Sequence, residues 1–208
     1  MTKKKKSVFS CQNCGCQRPR WEGRCPECGA WNSFVEESFA AVSPVHEDRQ
    51  SWVGDTAVVS LDQAMEQVDI PRDSTGIAEL DRTLGGGLAR GSFVLVGGPP
   101  GIGKSTLLLQ LSGGLAARGR KVLYVSGEES VQQTSGRAHR LGVRSPLITV
   151  ASEANLNQIK AQIEKLDPEV VVIDSIQTLF LPELESAPGS VSQVRESAGR
   201  LLQMSKTQ

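Results

Sequence analysis

The segment from Val94 to Thr106 (Val-Leu-Val-Gly-Gly-Pro-Pro-Gly-Ile-Gly-Lys-Ser-Thr) constrains this chain more than any other. It reads as an apolar strand, a glycine-rich loop and the first turn of a helix. The spacing Gly-x-x-x-x-Gly-Lys-Ser is met by Gly98, Gly103, Lys104 and Ser105. Glycines let a backbone curl around an anion and aim several N–H groups inward. The helix that follows offers unpaired N–H groups and a partial positive charge. Lys104 is expected to reach the β- and γ-phosphates, and Ser105 to offer its hydroxyl to Mg²⁺. Gly98, Pro99, Pro100, Gly101, Ile102, Gly103, Lys104, Ser105 and Thr106 are the candidate nucleotide contacts. A Gly/Pro turn with a chance lysine is the competing reading. Both flanks oppose it, because Phe93 to Val96 is apolar and Leu107-Leu108-Leu109-Gln110-Leu111 reads as a buried helix.

Downstream the pattern is α/β. Strands are expected over Phe93–Gly97, Lys121–Ser126, Leu147–Val150 and Val170–Asp174. Helices are expected over Ser105–Arg118, Ser130–Leu141, Leu156–Leu166 and about Ser190–Ser205, with a short one over Ile77–Leu84 that Gly85-Gly86-Gly87 ends. Such alternation implies a parallel sheet covered on both faces.

Two strand ends carry acid. Val170-Val171-Val172-Ile173-Asp174 places Asp174 at the carboxyl edge of the sheet beside the phosphate loop, where it can hold Mg²⁺, through water. Val122-Leu123-Tyr124-Val125-Ser126 leads to Glu128 and Glu129. A glutamate there can orient or deprotonate an attacking water, and Glu128 is the candidate catalytic carboxylate. The plainer reading is that both acids favour the next helix through its dipole. Gln177 either senses the γ-phosphate or is merely a polar loop residue. Leu181 to Ser190 reads as a Pro/Gly/Ser-rich loop.

All five cysteines lie in the first 28 residues. Cys11-Gln12-Asn13-Cys14-Gly15 and Cys25-Pro26-Glu27-Cys28-Gly29 are two copies of one tight turn. Together they set four thiolates tetrahedrally and leave no open position, which makes a structural rather than a catalytic metal site. Zinc suits Cys11, Cys14, Cys25 and Cys28, and the same sulfurs would hold a single iron. Cys16 is left as a spare thiol or, with Cys14, as part of a slipped pairing. So short a module depends on its metal for stability. Its basic residues and the indoles of Trp21 and Trp31 suit a nucleic-acid or protein contact, or the rings pack on the metal turns.

Residues 1–28 carry seven Lys and Arg against two Glu, while the whole chain balances 23 basic against 23 acidic residues. Net charge therefore selects no partner. The lysine-rich start lacks the apolar segment of a signal peptide and no run is long enough for a membrane span, so a cytoplasmic protein is expected. The expected domains are a four-cysteine module over 1–34, a flexible linker over 35–57 and the α/β domain over 58–208.

The order of these motifs, with Ser74-Thr75-Gly76-Ile77-Ala78-Glu79-Leu80-Asp81 and Gly85-Gly86-Gly87-Leu88 between them, resembles the RadA (Sms) family of bacterial DNA-repair ATPases. These are RecA-like P-loop proteins with an N-terminal zinc finger. The resemblance implies ATP as the nucleotide, with Lys104, Ser105 and Asp174 handling it and Mg²⁺, Glu128 as catalyst, and zinc on the four cysteines. It implies DNA-dependent ATP hydrolysis in recombinational repair: branch migration on single-stranded or branched DNA, in homo-hexameric rings, together with RecA. In such a ring the Leu181–Ser190 loop would face the DNA. The family continues past Gln208 with further strands, a Lys-Asn-Arg-Phe-Gly motif and a Lon-protease-like domain. The expectation is therefore a fragment with an incomplete sheet and weak nucleotide binding. A KaiC-type regulatory ATPase shares the Thr-Gly-Ile-x-Glu-Leu-Asp motif but not the cysteine module, and a non-catalytic zinc adaptor stays open.

Overall fold

The computed structural model describes residues 6–39, 60, 62–63 and 71–207. The first unit is a three-stranded antiparallel ribbon in the order β2-β1-β3, built from β1 (Lys6–Cys11), β2 (Gln17–Arg18) and β3 (Phe34–Phe39). Cys11 pairs with Phe34 in the register of β1 and β3, so the sheet delivers the first cysteine to the metal turns. β3 carries the ribbon to Phe39, five residues into the stretch expected as linker. Residues 40–57, the rest of that stretch, lie outside the described residues.

A two-stranded antiparallel ladder of β4 (Arg72–Asp73) and β5 (Leu88–Ala89) brackets the short helix α1 (Ala78–Thr83). The Ser-Thr-Gly-Ile-x-Glu-Leu-Asp motif is its clamp. The Asp81 carboxylate accepts from the hydroxyls of Ser74 and Thr75, each at 2.6 Å, and from the Thr75 N–H at 2.7 Å. These donors hold its pKa below the ordinary carboxylate range. At the other end Gly86 N–H reaches Asp81 C=O at 2.7 Å and Gly85 N–H reaches Arg82 C=O at 3.2 Å, a crossed pair that stops the helix where the glycines predict.

The main sheet is parallel, in the order β7-β6-β8, from β6 (Val122–Ser126), β7 (Ile148–Ser152) and β8 (Val170–Asp174). All five residues of β6 are buried. Side chains alternate across it. Val122, Tyr124 and Val172 join Leu109, Leu111 and Leu115 of α2 (Lys104–Ala116), with Ala138 of α3 (Val131–Arg140) against them. Leu123 and Val125 face the other way, onto Leu156, Ile159 and Ile163 of α4 (Leu156–Leu166) and Leu201 of α5 (Val191–Thr207). The expected parallel sheet with helices on both faces is therefore present.

One expected strand is not. Phe93–Gly97 lies in no strand or helix, and Phe93, Val94 and Leu95 are 40%, 44% and 75% exposed. β-propensity is local, whereas a strand exists through its ladder. Among the described residues β8 pairs along one edge only, with β6, and Phe93–Gly97 has no ladder partner.

Helix α2 lies so close to the Thr75 turn that a Cβ on Gly114 would sit 1.9 Å from Thr75 C=O. The neighbour is backbone and cannot swing away. Gly114→Ala is expected to destabilise the domain by about 2 kcal/mol or more. Gly136→Ala, in α3 with its nearest neighbour the flexible end of Arg140 at 3.9 Å, should instead stabilise it by about 0.5 kcal/mol. Urea unfolding of the two variants checks the contrast.

Candidate functional site

The phosphate-loop segment ends with Gly103 in the left-handed region (φ 103°), which turns the chain into α2. No side chain caps that helix, and its first turn holds no acidic residue. Its N-terminal N–H groups and positive dipole end thus face outward with no built-in anion. The Lys104 ammonium donates to the carbonyls of Gly98 at 2.8 Å and Pro99 at 3.0 Å, which keeps the charge on its own loop. Ser105 follows, half-buried in the first turn.

The topology sets where this end of α2 lies. Residues 117–121 join α2 to the start of β6, so the helix ends at the amino edge of the sheet. Its Leu109, Leu111 and Leu115 pack along β6 and β8. A helix of 13 residues is roughly 20 Å long, enough to run the length of a ladder five residues long and carry its N-terminus toward the carboxyl edge. That is the edge where Ser126 and Asp174 stand side by side in register.

At that edge two loops lock together. Gly127 N–H donates to Asp174 C=O at 3.0 Å. The Ser175 hydroxyl donates to Glu128 Oε1 at 3.1 Å. A Cβ on Gly127 would lie 2.0 Å from Thr178 Oγ1, so only glycine permits this approach. Glu128 and Asp174, from strands β6 and β8, are thereby brought to one place.

The two glutamates have different partners. Glu129 forms an ion pair with Arg137. The N-terminus of α3 is served by Ser130 and Gln133, whose side chains each accept the other's backbone N–H. The hydrogen-bond cap of α3 is thus made without Glu128, whose partner is Ser175. Asp174 Oδ2 accepts a hydrogen bond from the buried Tyr124 hydroxyl at 2.7 Å. Burial first, then the Asp174 carboxylate, pushes that phenol above its ordinary range, so it stays a donor. Sequence reasoning singled out neither Tyr124 nor Ser175. The signal for Tyr124 was present: a phenol hydroxyl in the middle of an apolar run, between Leu123 and Val125, needs a partner.

In the ribbon the sulfurs of Cys11, Cys14, Cys25 and Cys28 all lie within 4.8 Å of one another. Cys11 and Cys28 are 3.7 Å apart, and Cys14 and Cys25 3.6 Å. Bonds of about 2.3 Å to a tetrahedral Zn²⁺ require sulfur separations of about 3.8 Å, so the donor set fits that ion. Gly15 and Gly29 take φ 75° and 73°, as the paired turns require. Cys16 stays outside the four, packed against their small core. Burial works against charge on Cys11, but Ser33 and the backbone of Asn13 and Cys14 outweigh it and hold the thiol down to about 6. The Cys16 backbone pulls Cys14 down, yet burial and the neighbouring sulfurs push it up to about 12. Four thiolates this close repel one another unless a cation sits among them. Trp21 and Trp31 are 53% and 71% exposed, and the Arg24 guanidinium lies 5.7 Å from the Trp31 ring centroid.

No helix among the described residues is long and apolar enough to cross a membrane. The AAA domain family matches residues 60–206, and the rubredoxin metal binding domain family matches residues 9–36. The chain is 46% identical over 98% of its length to the DNA repair protein RadA of Bacillus subtilis (strain 168). It is 49% identical over 98% to that of Halalkalibacterium halodurans, and 47% over 98% to that of Pseudomonas aeruginosa. It spans 45%, 45% and 44% of those three proteins.

Among the described residues the ribbon's buried apolar cluster is Cys11, Cys25 and Phe34, two of them from the four-sulfur set, so its fold is tied to the metal. Cys25→Ser is expected to abolish zinc retention and expose the β1 and β3 amides to hydrogen exchange, leaving β6 and β8 protected. Because protons compete with metal for the thiols, retention in the unaltered chain falls as pH is lowered. Elemental analysis across pH, with hydrogen exchange, checks both; a Cys25→Ser protein that keeps its zinc contradicts the four-cysteine site.

Proposed function

The chain belongs to the AAA domain family, and from the site it carries we propose that it is the nucleotide-binding part of an ATPase that acts on DNA in recombinational repair. The observation that supports the reading is that the Ser175–Glu128 bond and the β6–β8 register set Glu128 and Asp174 at the carboxyl edge of the sheet, the edge toward which the direction and length of α2 carry its uncapped N-terminus with Lys104 and Ser105. In this reading Gly98 to Thr106 cradle the phosphates of ATP with backbone N–H groups. Lys104 leaves the Gly98 and Pro99 carbonyls for the β- and γ-phosphates. Ser105 and Asp174 would hold Mg²⁺, the aspartate through water. Glu128, kept in place by Ser175, orients the water that attacks the γ-phosphorus and takes its proton, while the bond from that phosphorus to the bridging oxygen breaks and ADP leaves. Magnesium supplies neutralisation of the phosphate charge.

The names of the relatives support a role in DNA repair. Single-stranded or branched DNA is the proposed substrate, with RecA as partner, a homo-hexamer as the working assembly and the cytoplasm as location. The four-cysteine ribbon takes zinc in preference to iron as a purely structural ion. Its exposed Trp31, with Arg24 over the ring, and Trp21 suit stacking on bases.

A second reading has its own support. Lys104 is bonded to its own loop, and Phe93–Gly97, which leads into that loop, has no ladder partner among the described residues. Both features favour a zinc-holding adaptor in which the nucleotide fold is a switch for protein contacts. They also make nucleotide binding weak, with a Kd above about 1 μM, or roughly −8 kcal/mol.

Titration with a fluorescent ATP analogue, followed by ATP turnover with and without single-stranded DNA, separates the readings. The expected result is Mg²⁺-dependent binding that Lys104→Ala lowers by about tenfold or more, with zinc content unchanged. Turnover stimulated by DNA supports the repair ATPase over a KaiC-type regulator. Binding with no turnover under any condition supports the adaptor.

A further inference from the structure

Tyr124 is 1% exposed and is the only tyrosine of the chain. Its ring belongs to the cluster formed by Leu109, Leu111 and Leu115 of α2 with Val122 and Val172 of the sheet. Its hydroxyl crosses from β6 to β8 and donates to Asp174 Oδ2 at 2.7 Å. One side chain thus belongs to the core into which the helix bearing Lys104 and Ser105 packs and also holds the Asp174 carboxylate.

We propose that Tyr124 is a positioning residue for the metal site, wedged between α2 and β8 so that it fixes the Asp174 carboxylate relative to the helix bearing Lys104 and Ser105. The proposal rests on the reading of Asp174 as a magnesium holder. The physical argument has two parts. An aspartate's terminal torsion is broad and roughly two-fold, so the carboxylate plane is undefined until a partner selects it. The Tyr124 proton selects it by occupying one lone pair of Oδ2, which leaves Oδ1 for the ion or its water. The ring is meanwhile fixed by close packing on α2, so a shift of that helix is felt at Asp174. Partners that orient metal ligands typically contribute 10–100-fold in metal affinity.

The test uses the whole chain, ADP and Mn²⁺ as a paramagnetic substitute for Mg²⁺, with bound Mn²⁺ read by electron paramagnetic resonance. Tyr124→Phe keeps the ring and its packing and removes only the hydroxyl. It is expected to raise the Mn²⁺ concentration for half-saturation by roughly tenfold. Metal-free ADP affinity should stay unchanged, and the thermal midpoint should fall only by the few degrees that loss of one hydrogen bond costs. Asp174→Asn should raise the Mn²⁺ midpoint as well, and adding Tyr124→Phe to it should change nothing more, because the tyrosine acts through the aspartate. An unchanged Mn²⁺ midpoint in Tyr124→Phe overturns the proposal, as does an equal loss in both backgrounds. If the unaltered chain shows no metal-dependent ADP binding, the nucleotide reading itself falls and takes this inference with it. That result is distinct from normal metal binding by both the unaltered chain and Tyr124→Phe.

Discussion

The parallel ladder between β6 and β8 is the contact on which the rest of the α/β region depends. Its register sets Val122 against Val170 and Ser126 against Asp174. Because side chains alternate, the same register sends Tyr124 and Val172 to the α2 face and Val125 and Ile173 to the α4 face. A slip by one residue would turn a whole strand over. It would bury the wrong side chains in both cores and carry Asp174 away from the Tyr124 hydroxyl and from Gly127 N–H. Core packing and site geometry are thus one constraint here, and the apolar contacts that stabilise the sheet also fix the acids at its edge.

What was legible in the sequence is what depends on near neighbours in the chain. The helix Leu156–Leu166 and the strand Val170–Asp174 were read to the residue. Asn155 accepts from Asn157 N–H at 3.0 Å to start the helix, Asp167 ends it in the left-handed region, and Pro168 prevents its continuation. The four cysteines and the Gly-x-x-x-x-Gly-Lys-Ser spacing were legible for the same reason, since each turn is set by its own few residues. What escaped reading is non-local. Phe93–Gly97 has the composition of a strand and no ladder among the described residues. Ser175 stands 47 residues from Glu128, and Tyr124 stands 50 from Asp174. No spacing rule joins them; only the register does.

The two parts of the chain are stabilised in different ways, and this shapes what each can do. The α/β region buries leucine and valine on both sheet faces, so its fold does not depend on the polar groups at the sheet edge. Among the described residues the ribbon's core is Cys11, Cys25 and Phe34, and two of these three belong to the four sulfurs around the metal position. It has no comparable apolar material to spare, yet it leaves Trp21 and Trp31 outside. Large apolar rings on the surface of a small, metal-braced unit are available for contact rather than needed for folding.

The loop after β8 shows how the edge of the sheet is tied to the last helix. Its composition suggests a solvated connector, but Leu179 and Leu181 are fully buried, and Gln193 of α5 is buried beneath it. The Gln193 side chain accepts from Leu181 N–H at 2.9 Å and donates to the carbonyls of Leu181, Leu184 and Ser186, at 3.3, 3.4 and 2.9 Å. A buried amide with these bonds resists change, because releasing any of them leaves a polar group unpaired out of water. The chain from Asp174 through Ser175 and Thr178 to Ser186 is therefore held at both ends, by the β6 loop on one side and by α5 on the other. Any rearrangement of Asp174 or Glu128 on nucleotide binding must either stay within the freedom of their side chains or move the loop and the start of α5 with them.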